Sequence, residues 1–145
     1  MSNVYFASDH AGFELKSRLI EHVKEMGHEV KDFGAHSFSA EDDYPDFVTP
    51  CAEAVAADKS SFGIILGASG QGEAMCANRI KGVRASVFWG GATALVALTR
   101  EHNDANILSL GARFIAEEDA YAAVDLFLAT PFSNAERHVR RIEKF

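Results

Sequence analysis

Residues 67–73 read Gly-Ala-Ser-Gly-Gln-Gly-Glu, at the end of the apolar run Phe-Gly-Ile-Ile-Leu-Gly and before Ala-Met-Cys-Ala-Asn-Arg-Ile. Gly67, Gly70 and Gly72, interleaved with Ala68, Ser69 and Gln71, make a flexible turn rich in N–H donors. Such a turn at the start of a helix captures anions, because free N–H groups and the positive helix end converge there. Glu73 closes the turn with a negative charge that an anion cradle does not need. Without a ligand in mind, the stretch is a tight strand-to-helix connection whose glutamate is favoured by the helix dipole. The turn lacks the Gly-Lys-Ser/Thr of a Walker A loop and has Met75 where a dinucleotide fingerprint needs a third small residue. Ser69 stands one residue before Gly70, so G-x-S-x-G is absent as well.

A second group with chemical potential closes the chain. Its last nine residues, Arg-His-Val-Arg-Arg-Ile-Glu-Lys-Phe, hold Arg137, His138, Arg140, Arg141 and Lys144 in a protein of net charge −7. Arg137 and Arg141 are four apart and share a helix face, where two guanidinium forks can grip an anion such as phosphate. The alternative is a solvated C-terminal helix laced by i,i+4 charge pairs.

The elements that would hold these groups alternate along the chain. Asn3–Ser8 reads as a strand running into Asp9-His10, and Leu15, Leu19, Ile20, Val23 and Met26 recur at helical spacing up to Gly27. His28–Gly34 alternates like a strand, and Tyr44-Pro45 opens a helix that contains Pro50. Phe62–Gly67 is a buried strand, followed by the turn and a helix through Ile80. Two further strand–helix pairs follow, Val83–Trp89 with Ala92–Asn103, and Asn106–Gly111 with Ala116–Thr130. A final helix, placed at 132–145, carries the arginines. This alternation predicts one α/β domain over 1–145, doubly wound around a parallel sheet, with ligands outside the carboxyl ends of the strands. Asp9-His10, the glycine turn and Arg113 are expected on that rim; His102 and Asn103 are left unplaced.

Composition excludes other classes. No run approaches the roughly 20 apolar residues of a membrane span, and no signal-peptide pattern opens the chain. The acidic balance argues against a nucleic-acid surface. Cys51 and Cys76 show no paired metal spacing, nor do His22, His28 and His36, which read as surface residues. A reduced cytoplasmic setting is expected.

Five stretches, Ala7–Lys16, Asp42–Phe47, Gly67–Ala85, Arg100–Arg113 and Glu136–Glu143, resemble the ribose-5-phosphate isomerase B family in order and spacing. That family includes the galactose-6-phosphate isomerase subunits. The resemblance implies a three-layer α/β/α sandwich with a five-stranded parallel sheet of Rossmann-like type. It also implies a homodimer, or a tetramer of paired dimers, whose sites draw on both subunits. The implied reaction is aldose–ketose isomerisation of a small phosphorylated sugar without metal or cofactor, D-ribose 5-phosphate to D-ribulose 5-phosphate in the first instance. Sugar phosphates of four or six carbons stay open as substrates. A non-catalytic sugar-phosphate sensor and a flavodoxin-type nucleotide binder stay open as other classes.

Isomerisation through a cis-enediolate needs a base and donors for the negative oxygen, which answers the puzzle of Glu73. The carboxylate would carry the proton, while Ser69 and the N–H groups of Ala68 to Gly72 would hold the oxyanion. Many relatives place a cysteine base where this chain has Gly67, so Glu73 resembles a second, glutamate-base branch. Ala68 departs from the glycine usual there, which would strain a positive φ. By resemblance His102 opens the sugar ring with Asp9 assisting, and Asn103 holds hydroxyls. Arg113, Arg137, Arg141 and His10 hold the phosphate, and Tyr44 lines the cavity. Cys76, Asn78 and Asn106 are expected to be structural.

Overall fold

The computed structural model describes residues 1–145. Strands of near-continuous apolar character can be buried on both faces only in a parallel sheet clad by helices. The observed sheet has that form. Its strands are β1 (Asn3–Ser8), β2 (Glu29–Asp32), β3 (Phe62–Gly67), β4 (Ala85–Phe88) and β5 (Ile107–Gly111). They are all parallel, in the order β2-β1-β3-β5-β4. The helices are α1 (Phe13–Glu25), α2 (Pro45–Ala57), α3 (Gln71–Ala77), α4 (Ala94–Asn103), α5 (Glu117–Ala129) and α6 (Glu136–Ile142), with a 3-10 turn over His10–Gly12.

The two-residue period of a strand sorts the core into two layers. Val4, Phe6, Ile64, Leu66, Leu108 and Leu110 face one way and pack with Leu19 and Val23 of α1, Val96 of α4 and Val124 and Phe127 of α5. Ala7, Ile65 and Ile107 face the other way, against Val48, Cys51 and Val55 of α2 and Ala77 of α3. The strand order reverses between β1 and β3, where a doubly wound sheet opens its ligand crevice.

Several expected boundaries shorten, three of them with a visible cause or consequence. The helix after the glycine turn ends at Ala77 rather than Ile80, and the Asn78 amide instead bonds both main-chain groups of Ala85 at the start of β4. The last helix covers Glu136–Ile142, not 132–145, because Ser133 N–H is drawn to Glu101 O at 3.1 Å and Asn134 turns at φ 58°. β4 stops at Phe88; Trp89, the only tryptophan, lies beyond it and is 57 % exposed. Pro50 lies inside α2 without breaking it, although the Asp46 carbonyl loses its donor. His22 is no free surface residue either: its Nε2 lies 2.6 Å from Asp125, and its ring stacks on Tyr121, joining α1 to α5.

The loop leaving β2 is tied to the body by a buried cation. Lys16 on α1 is 1 % exposed; its Nζ donates to both Asp32 oxygens at 2.8 and 3.0 Å and to Ala35 O at 2.6 Å. Asp32 in turn accepts the Gly34 N–H at 2.8 Å. A buried amine is tolerated only when paired in this way. Lys16→Ala is therefore expected to lower unfolding free energy by about 3 kcal/mol in urea titration, because it strands the carboxylate and frees the loop.

Candidate active site

Strand β3 brings the glycine turn to the carboxyl rim, and the turn then bends at Gly70, φ 77°, to start α3. That positive φ suits glycine, which has no Cβ to oppose it. Gly70 is also pressed against β5: its carbonyl accepts the Ser109 hydroxyl at 2.6 Å, and an added Cβ would lie 2.9 Å from the Leu110 carbonyl carbon. Arg113 is brought alongside by two main-chain bonds, from Ala112 N–H to Gly67 O and from Arg113 N–H to Ala68 O. Ala68 is not among the residues with positive φ, so its methyl group causes no backbone strain.

The first turn of α3 folds Glu73 back over β3. It is 4 % exposed, and its carboxylate lies so close to Gly67 that any Cβ there would overlap both oxygens. The bare backbone at Gly67 is thus the space that receives the Glu73 side chain. Burial pushes the Glu73 carboxyl above its ordinary range. Main-chain N–H groups at Glu73 and Gly70 pull it back, and the nearby Asp9 charge adds to the rise. A carboxyl poised this way is a competent general base near neutral pH.

The donors around it are fewer than the sequence suggests. The Gln71 N–H is engaged by Ser69 Oγ at 3.3 Å, and that of Gly70 faces Glu73. Ala68 and Ser69 keep N–H groups with no protein acceptor. Asp9, 7 % exposed, caps the 3-10 turn by accepting the Ala11 N–H at 3.0 Å. His10 follows it, with Nδ1 2.7 Å from Asp42. Tyr44, at the start of α2, sets its hydroxyl against Gly72. Asp9, His10 and Asp42 are the one group with metal-ligand spacing, their donor atoms lying within 4.8 Å of one another. The His10–Asp42 hydrogen bond accounts for that closeness.

The remaining expected residues lie elsewhere. α4 runs from the carboxyl end of β4 back to the start of β5, so His102 and Asn103 sit on the opposite, amino rim, about 12 to 14 Å along the helix from its first residue. α6 joins them there. His138, 6 % exposed, packs against His102 with ring centroids 4.4 Å apart and planes tilted by 36°, and Ser133 holds its Nδ1 at 2.9 Å. Burial, then the charge of Arg137 and the neighbouring His102 and Arg141, lower the His138 pKa below its ordinary value. Arg137 and Arg141 are exposed beside it. A cavity of about 700 Å³ is also on this side, lined by Asn103, Ile142 and Phe145 with Arg84 and Ser86. One chain therefore carries two separated groups. Asp9, His10, Tyr44, Gly67 to Glu73 and Arg113 occupy the carboxyl rim, and His102, Asn103, Arg137 and Arg141 the amino rim.

The family model for ribose/galactose isomerases matches residues 4–145. The chain belongs to the ribose/galactose isomerase family. Ribose-5-phosphate isomerase B of Mycobacterium tuberculosis is 49 % identical over 140 residues, covering 97 % of this chain and 85 % of its own. A probable ribose-5-phosphate isomerase B of Mycoplasma pneumoniae is 40 % identical over 141 residues, covering 97 % and 91 %. Among structures of this isomerase family, ribose-5-phosphate isomerase B from Mycoplasma genitalium with bound ribulose 5-phosphate superposes with TM-score 0.93. It is 39 % identical and covers 98 % of this chain and 92 % of that one. The Thermotoga maritima isomerase gives 0.91 at 40 % identity, covering 99 % and 96 %.

Two outcomes follow from the packing of Glu73. Gly67→Ala should evict the carboxylate and lower kcat/KM for the isomerase reaction on the order of 10²-fold, measured by initial rates, since small misplacements of a reacting group cost that much. Because the folded pKa of Glu73 is raised, ionising it costs stability, a cost absent below the ordinary Glu range and complete above the raised value. Thermal unfolding of Glu73→Gln at pH 8 should therefore show a higher Tm than wild type, with the gap closing toward pH 4.

Proposed function

We propose that this chain interconverts D-ribose 5-phosphate and D-ribulose 5-phosphate, with Glu73 as the proton carrier. The observation that carries this reading is the buried Glu73 carboxylate, seated on bare Gly67 beside the free N–H groups of Ala68 and Ser69. His102, with Asp9 in support, opens the furanose by moving a proton between the ring oxygen and the anomeric hydroxyl. Glu73 then removes the C2 proton; the electron pair left behind forms the C1=C2 bond, and negative charge develops on O1. Ala68 and Ser69 N–H groups, with the Ser69 hydroxyl, meet that charge. A proton passes from O2 to O1, and Glu73 returns its own to C1. Arg113 and His10 on one side, and Arg137 and Arg141 on the other, hold the phosphate, while Tyr44 and Asn103 contact the sugar.

This chemistry calls on both rims, and one chain cannot bring them together. The assembly that fits is a homodimer in which the carboxyl rim of each copy meets the amino rim of the other. Several features favour such a partner. β4 is an edge strand paired on one side only, and the Ser86 hydroxyl on it is buried without a hydrogen bond. Trp89 just past β4, Leu95 and Leu98 on α4, Met75 on α3 and Phe114 past β5 remain exposed. Apolar side chains left open around an unpaired edge mark an association surface.

Glu73→Gln and the double variant Arg137→Ala/Arg141→Ala should each lose on the order of 10²- to 10⁴-fold in ribose 5-phosphate turnover. Unfolding the two together and refolding them should restore activity to about a quarter of wild type, since each mixed dimer would regain one complete site. A mixture that stays inactive would refute the shared site. Undiminished turnover by Glu73→Gln would remove it as the base.

A further inference from the structure

His10 is held more firmly than a surface histidine requires. Asp42, from the loop between β2 and α2, accepts twice through Oδ1: from the His10 main-chain N–H at 3.1 Å and from ring Nδ1 at 2.7 Å. The Asp42 side chain is 10 % exposed, and its Oδ2 is buried with no hydrogen-bond partner. On the ring's flank, Phe38 stands edge-on with centroids 6.2 Å apart. A buried carboxylate with one oxygen unsatisfied is costly, and its retention asks for a reason beyond loop packing.

We propose that Asp42 is the positioning residue for His10, fixing its tautomer and ring plane so that Nε2 alone is offered to the phosphorylated sugar. The inference rests on the isomerase reading for the identity of the ligand. A carboxylate can only accept, so Nδ1 carries the hydrogen whether the ring is neutral or charged. Nε2 is then the free nitrogen, an acceptor for a sugar hydroxyl in the neutral ring and a donor to phosphate in the imidazolium. Carboxylates behind metal-bound histidines set tautomer and orientation in the same way. Because Asp42 touches His10 and not the substrate, its effect should pass entirely through that ring. A loop residue of purely structural role would instead act whether or not His10 is present.

The test is a double-variant cycle with an NMR readout. Asp42→Ala should raise KM for ribose 5-phosphate on the order of tenfold and leave kcat within about threefold of wild type. Adding it to His10→Ala should change KM little further, and Asp42→Asn, whose amide oxygen can still accept from Nδ1, should recover most of the loss. Imidazole ¹⁵N spectra of the wild type should show His10 protonated at Nδ1, and Asp42→Ala should lose that signature. Additive effects in the cycle, an unchanged KM with only a lowered Tm, or an Nε2–H tautomer in the wild type would each overturn the proposal. Should the wild type fail to turn over ribose 5-phosphate, the spectra still decide the role of Asp42, and only the isomerase reading falls.

Discussion

An all-parallel sheet obliges every crossover to travel the length of the strands before the next strand can begin. The rest of this molecule follows from that constraint. Loops leaving strands gather at one rim, and the ends of the returning helices gather at the other. Residues brought forward by β1, β3 and β5 therefore face away from those carried at the end of α4. The chain that places Glu73 in position cannot also place its own His102 there. The C-terminal arginines are committed to the amino rim because α6 is docked on α4, through His138 on His102 and Ser133 on Glu101.

Within the carboxyl rim, catalytic potential is created by an absence. Gly67 leaves a hollow at the end of β3, and Glu73 folds into it, out of water and near another carboxylate. The arrangement opposes folding and favours proton transfer, a common opposition at active sites. Neighbouring groups are correspondingly over-determined. Gly70 is wedged against β5, Arg113 is tethered to Ala68, and the loop from β2 is held by the buried Lys16 amine before it delivers Asp42 and Tyr44.

Much of this could be read from the chain alone. β1, β3 and β5 are largely apolar, and the glycine C-terminal to α1 and the turn before α3 are strong punctuation, so layers and order of elements were legible. The edges were less so: β2 and β4 are short and half-buried, and their sequence patterns run past the residues that pair. Glu73 and Ser69 stood out by type. Gly67 was singled out too, but not its part in seating Glu73, because what matters there is the volume of a side chain that folds back from six residues on. Asp42 was hidden in a run of acidic residues, and only the path of the loop distinguishes it from Glu41 and Asp43. The separation of the two rims was implicit in the strand–helix alternation, but spacing along the chain carries no distance across a sheet, and His102 could not be placed from it.

Trp89 has a further consequence. It stands just past β4, half open to water, with its Cβ 2.9 Å from where a Cβ on Gly111 would be, on the segment that leads to Arg113. Indole emission shifts with the polarity around the ring, and no second tryptophan dilutes the signal. The molecule thus carries one built-in optical reporter at the border between the glycine turn and the open sheet edge, so the filling of that border can be followed in real time without a label.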